Sequence, residues 1–192
     1  MAKRIVVIVA HSAASSFTLA LSQAYVAAAT AAGHEVRVLH LGELAFDPIL
    51  HEGYKHIQAL EPDLLAAQAA ISWAEHLCWV FPVWWGSVPA LLKGFIDRIF
   101  LPGFAFKYHP GAAFPEQLLG GRTAHMLVPL DTPAWYFKWI YRMPAIQQME
   151  RTTLAFCGIK PLKTRMFGPL ISSTAAQREA WLKSAGALAR RL

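Results

Sequence analysis

Leu77-Cys78-Trp79-Val80-Phe81-Pro82-Val83-Trp84-Trp85-Gly86-Ser87-Val88-Pro89 runs from an apolar stretch, through a short loop, to a proline that opens an amphipathic stretch. A buried strand, a tight loop and a helix with proline in its first turn form the repeating unit of an alternating α/β chain. Such chains bind ligands at the carboxyl ends of their strands, in the turns that leave a strand for a helix. Here that turn carries two adjacent tryptophans, Trp84 and Trp85. Large aromatic surface at such a mouth suits a flat ligand.

The flanking sequence repeats the pattern. Arg4 to Val9 is a continuous β-branched run of the kind found in strands covered on both faces. A small, polar segment, Ala10 to Phe17, leads into an alanine-rich helix over Thr18 to Ala32, stopped by Gly33. Glu35 to Leu41 predicts a second strand. A long connection, Gly42 to Pro62, precedes a helix that starts at Leu60-Glu61-Pro62-Asp63 and runs to about Trp73. Leu77 to Phe81 is strand three and Pro89 to Phe100 helix three. The second long connection, Leu101 to Gly121, is rich in Gly and Pro, and loops of this length in a compact domain are usually functional. Thr123 to Leu130 predicts strand four, Ala134 to Phe156 a largely helical region, Lys160 to Met166 strand five and Ala175 to Leu192 a closing helix. The expectation is one α/β domain over residues 1–192, a doubly wound five-stranded parallel sheet with helices on both faces.

Composition narrows the function. With 55% hydrophobic and 16% charged residues the chain is globular and apolar, which favours an oligomer interface and a sizeable ligand pocket. No apolar stretch approaches the ~20 residues a bilayer span requires, so no integral membrane segment is expected. The net charge of +6 comes from singly scattered Lys and Arg, without the basic stripe of a nucleic-acid binder. A bias toward anionic small ligands fits better. No secretory signal pattern is read near the start, and Cys78 and Cys157, far apart in apolar contexts, read as buried free thiols, so a reducing cytoplasm is the expected setting. The histidines lack paired ligand spacing, so no metal site is expected. Neither Ser16 nor Ser87 lies in a G-x-S-x-G elbow, which argues against a hydrolase. Trp73, Trp79, Trp135, Trp139 and Trp181 fall at helix or strand spacing and read as core or interface residues, and Lys93 with Asp97 as a solvated pair.

Between the two common doubly wound arrangements, the turn after the first strand decides. A Rossmann sheet wants G-x-G-x-x-G there, whereas this chain has Ala10-His11-Ser12-Ala13-Ala14-Ser15-Ser16-Phe17, with no glycine. A hydroxyl-rich turn at a helix N-terminus can hold a phosphate monoester, the flavodoxin arrangement, with strand order 2-1-3-4-5. The same serines also suit ordinary turn and N-cap positions.

Taken in order, His11-Ser12 with Ser16-Phe17, Phe46-Asp47-Pro48, Phe81 through Gly94, Gly103-Phe104-Ala105-Phe106-Lys107-Tyr108 and Phe156-Cys157-Gly158 resemble the NAD(P)H:quinone oxidoreductase family of flavodoxin-like flavoproteins. The resemblance implies a homodimer that binds non-covalent FAD or FMN and reduces quinone-like acceptors in two-electron steps with NADH or NADPH. It places His11, Ser16, Phe17 and Thr18 around the flavin phosphate, and Pro82, Val83, Trp84, Trp85 and Gly86 along the flavin ring edge. Trp84, Trp85, Phe104, Phe106, Tyr108 and Tyr136 become the aromatic walls of a slot shared in turn by nicotinamide and acceptor. Trp84 stands where the family commonly has Gln and Gly86 where it commonly has Phe. After strand four the family's Thr-Thr-Gly-Gly loop is replaced by Val128-Pro129-Leu130-Asp131-Thr132-Pro133, leaving Asp131 and Thr132 as the polar contacts. An ungapped reading places Tyr136 on the family's catalytic tyrosine and Arg142 on its catalytic histidine, with Tyr141 competing for the first role. Three functions fit the resemblance: a quinone, nitro or azo reductase, an ancillary flavoprotein subunit of a potassium-efflux transporter, and an electron-carrying flavodoxin. The basic charge disfavours the last.

Overall fold

In the computed structural model, which describes residues 1–192, five parallel strands form one sheet. They are β1 (Arg4–Val9), β2 (Glu35–His40), β3 (His76–Val80), β6 (Thr123–Pro129) and β7 (Leu162–Phe167), in the order β2-β1-β3-β6-β7. With the main-sheet strands counted consecutively this is the expected 2-1-3-4-5 order. The strand order reverses between β1 and β3, so their carboxyl ends flank the crevice where this class of sheet binds ligands.

Both faces of the central strands are buried, as their unbroken apolar runs predict. On one face Val6, Ile8, Leu77, Trp79, Met126 and Val128 pack with α2 (Pro62–Trp73) and α3 (Ala90–Ile99). On the other, Ile5, Val7, Val9, Cys78, Val80 and Leu127 pack with α1 (Phe17–Ala31) and α6 (Ala175–Ala189). Both cysteines are free and buried, and burial pushes the Cys157 thiol up to about 12.

The first long connection is clamped onto α3. The ring of Phe46 meets that of Phe95 edge to face at 6.0 Å, and Pro48 lies so close to Gly94 that a Cβ there would sit 2.6 Å from the Pro48 carbonyl. Arg98, 1% exposed, donates to the carbonyls of Asp47 and Ala59 and pairs with Glu61 at 2.8 Å. Burial acts to raise the Glu61 carboxyl, but hydrogen bonds from Arg98 and from the Asp47 amide outweigh it and hold the group below the usual carboxylate range. The Phe46-Asp47-Pro48 segment is thus a structural brace for α3, whose first turn follows the tryptophan loop.

Two regions depart from expectation. The second long connection contains a two-stranded antiparallel ribbon, β4 (Phe106–Lys107) with β5 (Glu116–Gln117). The Ala134–Phe156 region is not one helical run. It divides into α4 (Ala134–Trp139), α5 (Pro144–Gln147) and a π-helical segment, Gln148–Leu154. Arg142 and Met143 both take left-handed backbone angles (φ 58° and 51°), which reverses the chain between α4 and α5. In the π-helical segment the Ala155 amide bonds to Glu150 O, five residues back.

Candidate functional site

The loops after β1, β3 and β6 meet at the carboxyl end of the sheet. In the first, Ser16 caps α1 by accepting from the Leu19 amide (3.2 Å), and the His11 Nδ1 accepts from the Ala13 amide (3.0 Å). That bond leaves Nε2 as the protonated, donating nitrogen of a neutral His11. The amides of Ser15, Ser16, Phe17 and Thr18 make no hydrogen bond within the chain, and Thr18, 3% exposed, leaves its hydroxyl unpaired. A row of open donors at the start of a 15-residue helix has the geometry that can hold an anion. Phe17 contributes only its backbone here, because its ring packs against Trp181 at 5.9 Å. Beside this loop lies a cleft of about 340 Å³, lined by His11, Ser12, Gln23, His40 and Gly42.

The tryptophan loop is a two-residue reverse turn. Trp84 N–H donates to Ser87 O (3.0 Å) and Ser87 N–H returns to Trp84 O (2.9 Å), while Trp85 and Gly86 between them have φ of 51° and 76°. Positive φ at both central positions is the type I′ geometry, in which Asn-Gly is favoured and a tryptophan is strained. The turn is held from below by Val83 N–H to Pro129 O (3.1 Å) and from the side by Ala145 N–H to Gly86 O (3.1 Å). Only the Trp85 and Gly86 amides remain open for a ligand. Trp85 is fully exposed, and Trp84 lies edge-on to His11 at 5.5 Å. Trp85→Asn is therefore expected to stabilise the fold by about 1 kcal/mol. Thermal melts check this: Tm should rise by about 2–4 °C, and an unchanged or lower Tm would show that the turn stores no strain.

Across the crevice, Asp131 accepts from the Ile171 amide (2.9 Å), tying the β6 loop to the loop after β7 and leaving its other carboxylate oxygen without a partner. Tyr136 stacks edge-on with both Trp135 (5.5 Å) and Tyr141 (5.0 Å). Tyr136 and Tyr141, rivals in the sequence reading, are thus one aromatic pair. Arg142 follows at the left-handed turn, its guanidinium exposed and unpaired.

Not every expected wall residue joins them. Phe106 and Tyr108 line a separate cleft of about 510 Å³ with Lys93, Asp97, Phe100 and Phe156. The Lys93–Asp97 pair there, at 2.6 Å, is partly exposed as expected. Trp79 is in the core, whereas Trp135 and Trp139 are 64% and 70% exposed and belong to no core. Of the core-or-interface expectation the single chain excludes only the core half for these two, because α4 is only six residues long and buries one side chain, Phe137. No group of three metal-ligating side chains occurs.

A 2-1-3-4-5 parallel sheet with an open-amide loop after its first strand defines the flavodoxin-like class, and the chain matches the profile of the flavodoxin-like-fold family over residues 3–189. Within that class it belongs to the NAD(P)H:quinone oxidoreductase family. It is 30% identical over 215 residues to the ribosyldihydronicotinamide dehydrogenase (quinone) of Rattus norvegicus, covering 95% of this chain and 88% of that protein. Among solved structures, Smu.1420 from Streptococcus mutans UA159 aligns with a TM-score of 0.83 at 25% identity, covering 98% of this chain and 99% of that one. The NAD(P)H:quinone oxidoreductase of Methanothermobacter marburgensis also gives 0.83, at 22% identity, with 100% and 96% coverage.

Proposed function

We propose that the chain is a flavin-dependent NAD(P)H dehydrogenase acting on quinones. The observation that carries this reading is the convergence at one end of the sheet of open donors for a phosphate with exposed aromatic groups for a flat ring. The donors, Ser15 to Thr18, suit the phosphate of FMN or FAD because they are unpaired and lie at the positive end of α1. The ring face is offered by the Trp84-Trp85-Gly86 turn and the Tyr136–Tyr141 pair. When bound there, a flavin supplies the hydride chemistry, taking two electrons from NADH or NADPH and giving them to the acceptor.

The chain's own groups bind and orient. His11 Nε2–H and the Thr18 hydroxyl add side-chain donors to the phosphate loop. The Trp85 and Gly86 amides offer fixed donors at the ring edge, where they act without reorganisation. Asp131, held by the Ile171 amide, and Thr132 close the opposite wall. Tyr136 carries a hydroxyl proton that can be given to the acceptor oxygen. The Arg142 guanidinium serves to hold negative charge at the mouth.

A homodimer belongs to the same proposal. Phe106 and Tyr108 sit away from their own chain's mouth, in an apolar cleft that a second copy would cover. The buried free thiols fit a reducing cytoplasm, and no helix is long and apolar enough to cross a membrane.

The purified protein should be yellow and should oxidise NADH or NADPH with menadione. Thr18→Val should weaken flavin binding by about tenfold or more, the effect of one hydrogen bond to a charged group. Tyr136→Phe should lower kcat, and an equal loss in Tyr141→Phe would give both tyrosines the role. Mass spectrometry of the extracted cofactor decides between FMN and FAD. Colourless protein that takes up neither flavin would overturn the reading.

A further inference from the structure

The amino end of the sheet, opposite the reaction mouth, holds a second set of open polar groups. A cleft of about 150 Å³ lies where β1, β3, β6 and β7 begin, and Lys3, His76, Thr123, His125, Lys163 and Arg191 line it. Three of these six carry positive charge, no acidic side chain lines the cleft, and none of the three is in an ion pair within the chain. Glu75, one residue before β3, is turned to Arg4 instead, accepting from its amide at 3.0 Å and pairing with its Nε at 3.4 Å. Cations around one concavity repel each other and focus a positive potential there, which an anion from solution relieves.

The cleft also meets a buried group with one atom to spare. His125 is 4% exposed, its Nδ1 lies 2.9 Å from the Tyr25 hydroxyl, and its Nε2 has no partner in the chain. That nitrogen is not sealed in the core, because the ring forms part of the cleft wall. The buried chain of bonds can run in one direction with every donor used: Thr123 O–H to His76 Nδ1, His76 Nε2–H to Tyr25, and Tyr25 O–H to His125 Nδ1. His125 then presents Nε2–H to the cleft, as an anion requires. In the reverse direction Nε2 offers a lone pair, which none of the three cations contacts.

Size narrows the ligand. About 150 Å³ is half the roughly 300 Å³ at which pockets for whole organic ligands begin, but it equals about five water molecules, enough for one tetrahedral oxyanion. We propose that this cleft binds an oxyanion of the sulfate or phosphate class, held by Lys3, Lys163, Arg191 and His125 Nε2–H. The site is separate from the open amides after β1, which lie at the carboxyl end of the sheet, and it does not rest on the flavin reading. Burial with Lys163 and Lys3 holds His125 down at about 4, and no neighbour supplies negative charge: burial raises the Tyr25 and Cys78 groups, so both keep their protons, and lowers His76. An anion opposite Nε2 acts against the depression of His125, so the bound protein takes up protons more readily and binding tightens as the pH falls.

The experiment is thermal melting and calorimetric titration of the protein as purified, with sodium sulfate against sodium chloride at matched ionic strength. Sulfate is used because it stays a dianion from pH 5.5 to 7.5. Binding is expected with a Kd of about 1–10 mM, and at about ten times that concentration Tm should exceed the chloride value by about 3–6 °C. The gain should be larger at pH 5.5 than at 7.5, and the His125 ring resonance should move on addition of sulfate. Lys163→Gln changes an exposed side chain, so it should keep its Tm in chloride and bind sulfate about tenfold more weakly. Equal Tm in sulfate and chloride overturns the inference, since the cleft is then balanced from within the chain, as by the carboxyl group at Leu192. So does an undiminished sulfate effect in Lys163→Gln, which would be general salting or an adventitious ion only, or a response at His11 without one at His125. Phosphate and glycerol phosphate, compared at pH 7.5, separate the sources: equal strength extends the site to phosphomonoesters, loss with the ester confines it to the free ion, and either upholds the cleft.

Discussion

Arg98→Ala is expected to lower stability by about 3 kcal/mol, seen as a Tm drop of about 6–12 °C. The guanidinium is 1% exposed and serves three acceptors at once, the Asp47 and Ala59 carbonyls and the Glu61 carboxylate at 2.8 Å. Truncation leaves both carbonyls without that donor and opens a void between the first long connection and α3. The loss sits at the low end for a buried pair, because Glu61 is 29% exposed and regains water when its partner goes. Arg98→Lys restores the charge but not the planar fork that spans the acceptors, so it should recover only part of the Tm. The consequence reaches the site, since α3 begins beside the tryptophan turn and Gly94 is pressed against Pro48. Flavin occupancy in Arg98→Ala should fall along with stability. A Tm within 2 °C of the parent, measured by calorimetry, would show that the brace is dispensable.

The sheet was legible in the sequence because its strands are short apolar runs between turn residues, and helix ends carried their own marks. Ser16 caps α1, and Pro62 opens α2. The phosphate loop and the tryptophan turn could be placed for the same reason, since both follow such a strand. The turn's strain could not, because it lies in the φ of Trp85 and not in its identity. The α4–α5 region misled because Trp135 and Trp139, at i and i+4, look like one helix face. Arg142 and Met143, residues with no glycine-like signature, nonetheless break the helix with left-handed angles. Nor does local pattern show how β3 and β6 are registered. Cys78 pairs with His125 and His76 with Thr123, and Tyr25 enters from α1 to complete the group.

That buried group makes stability strongly pH-dependent. The Tyr25 hydroxyl lies 3.1 Å from His76 Nε2 and 2.9 Å from His125 Nδ1, and His76 Nδ1 lies 2.6 Å from the Thr123 hydroxyl. Burial, reinforced by the neighbouring His125 and by Lys3, His34 and Lys163, pushes His76 down to about 2. Burial with Lys163 and Lys3 pushes His125 to about 4. Both are therefore neutral in the folded protein at moderately acid pH, whereas in the unfolded chain they protonate near the ordinary 6.5. Below 6.5 the unfolded chain binds more protons, so stability is complete above that value and falls as the pH drops toward 4, where His125 begins to charge in place. At pH 5 each histidine costs about 2 kcal/mol, and the pair should lower Tm by about 8–16 °C relative to pH 7. The carboxylates do not confuse this window. Asp47, Glu61 and Glu75 are held below their usual range, so their contribution persists to pH 5. His125→Gln keeps a hydrogen-bonding side chain facing Tyr25 but removes one titrating group, and should flatten the decline by about half between pH 7 and 5. A parent Tm that does not change over that range, or a His125→Gln variant with an undiminished slope, would mean that the two histidines already carry protons in the folded core.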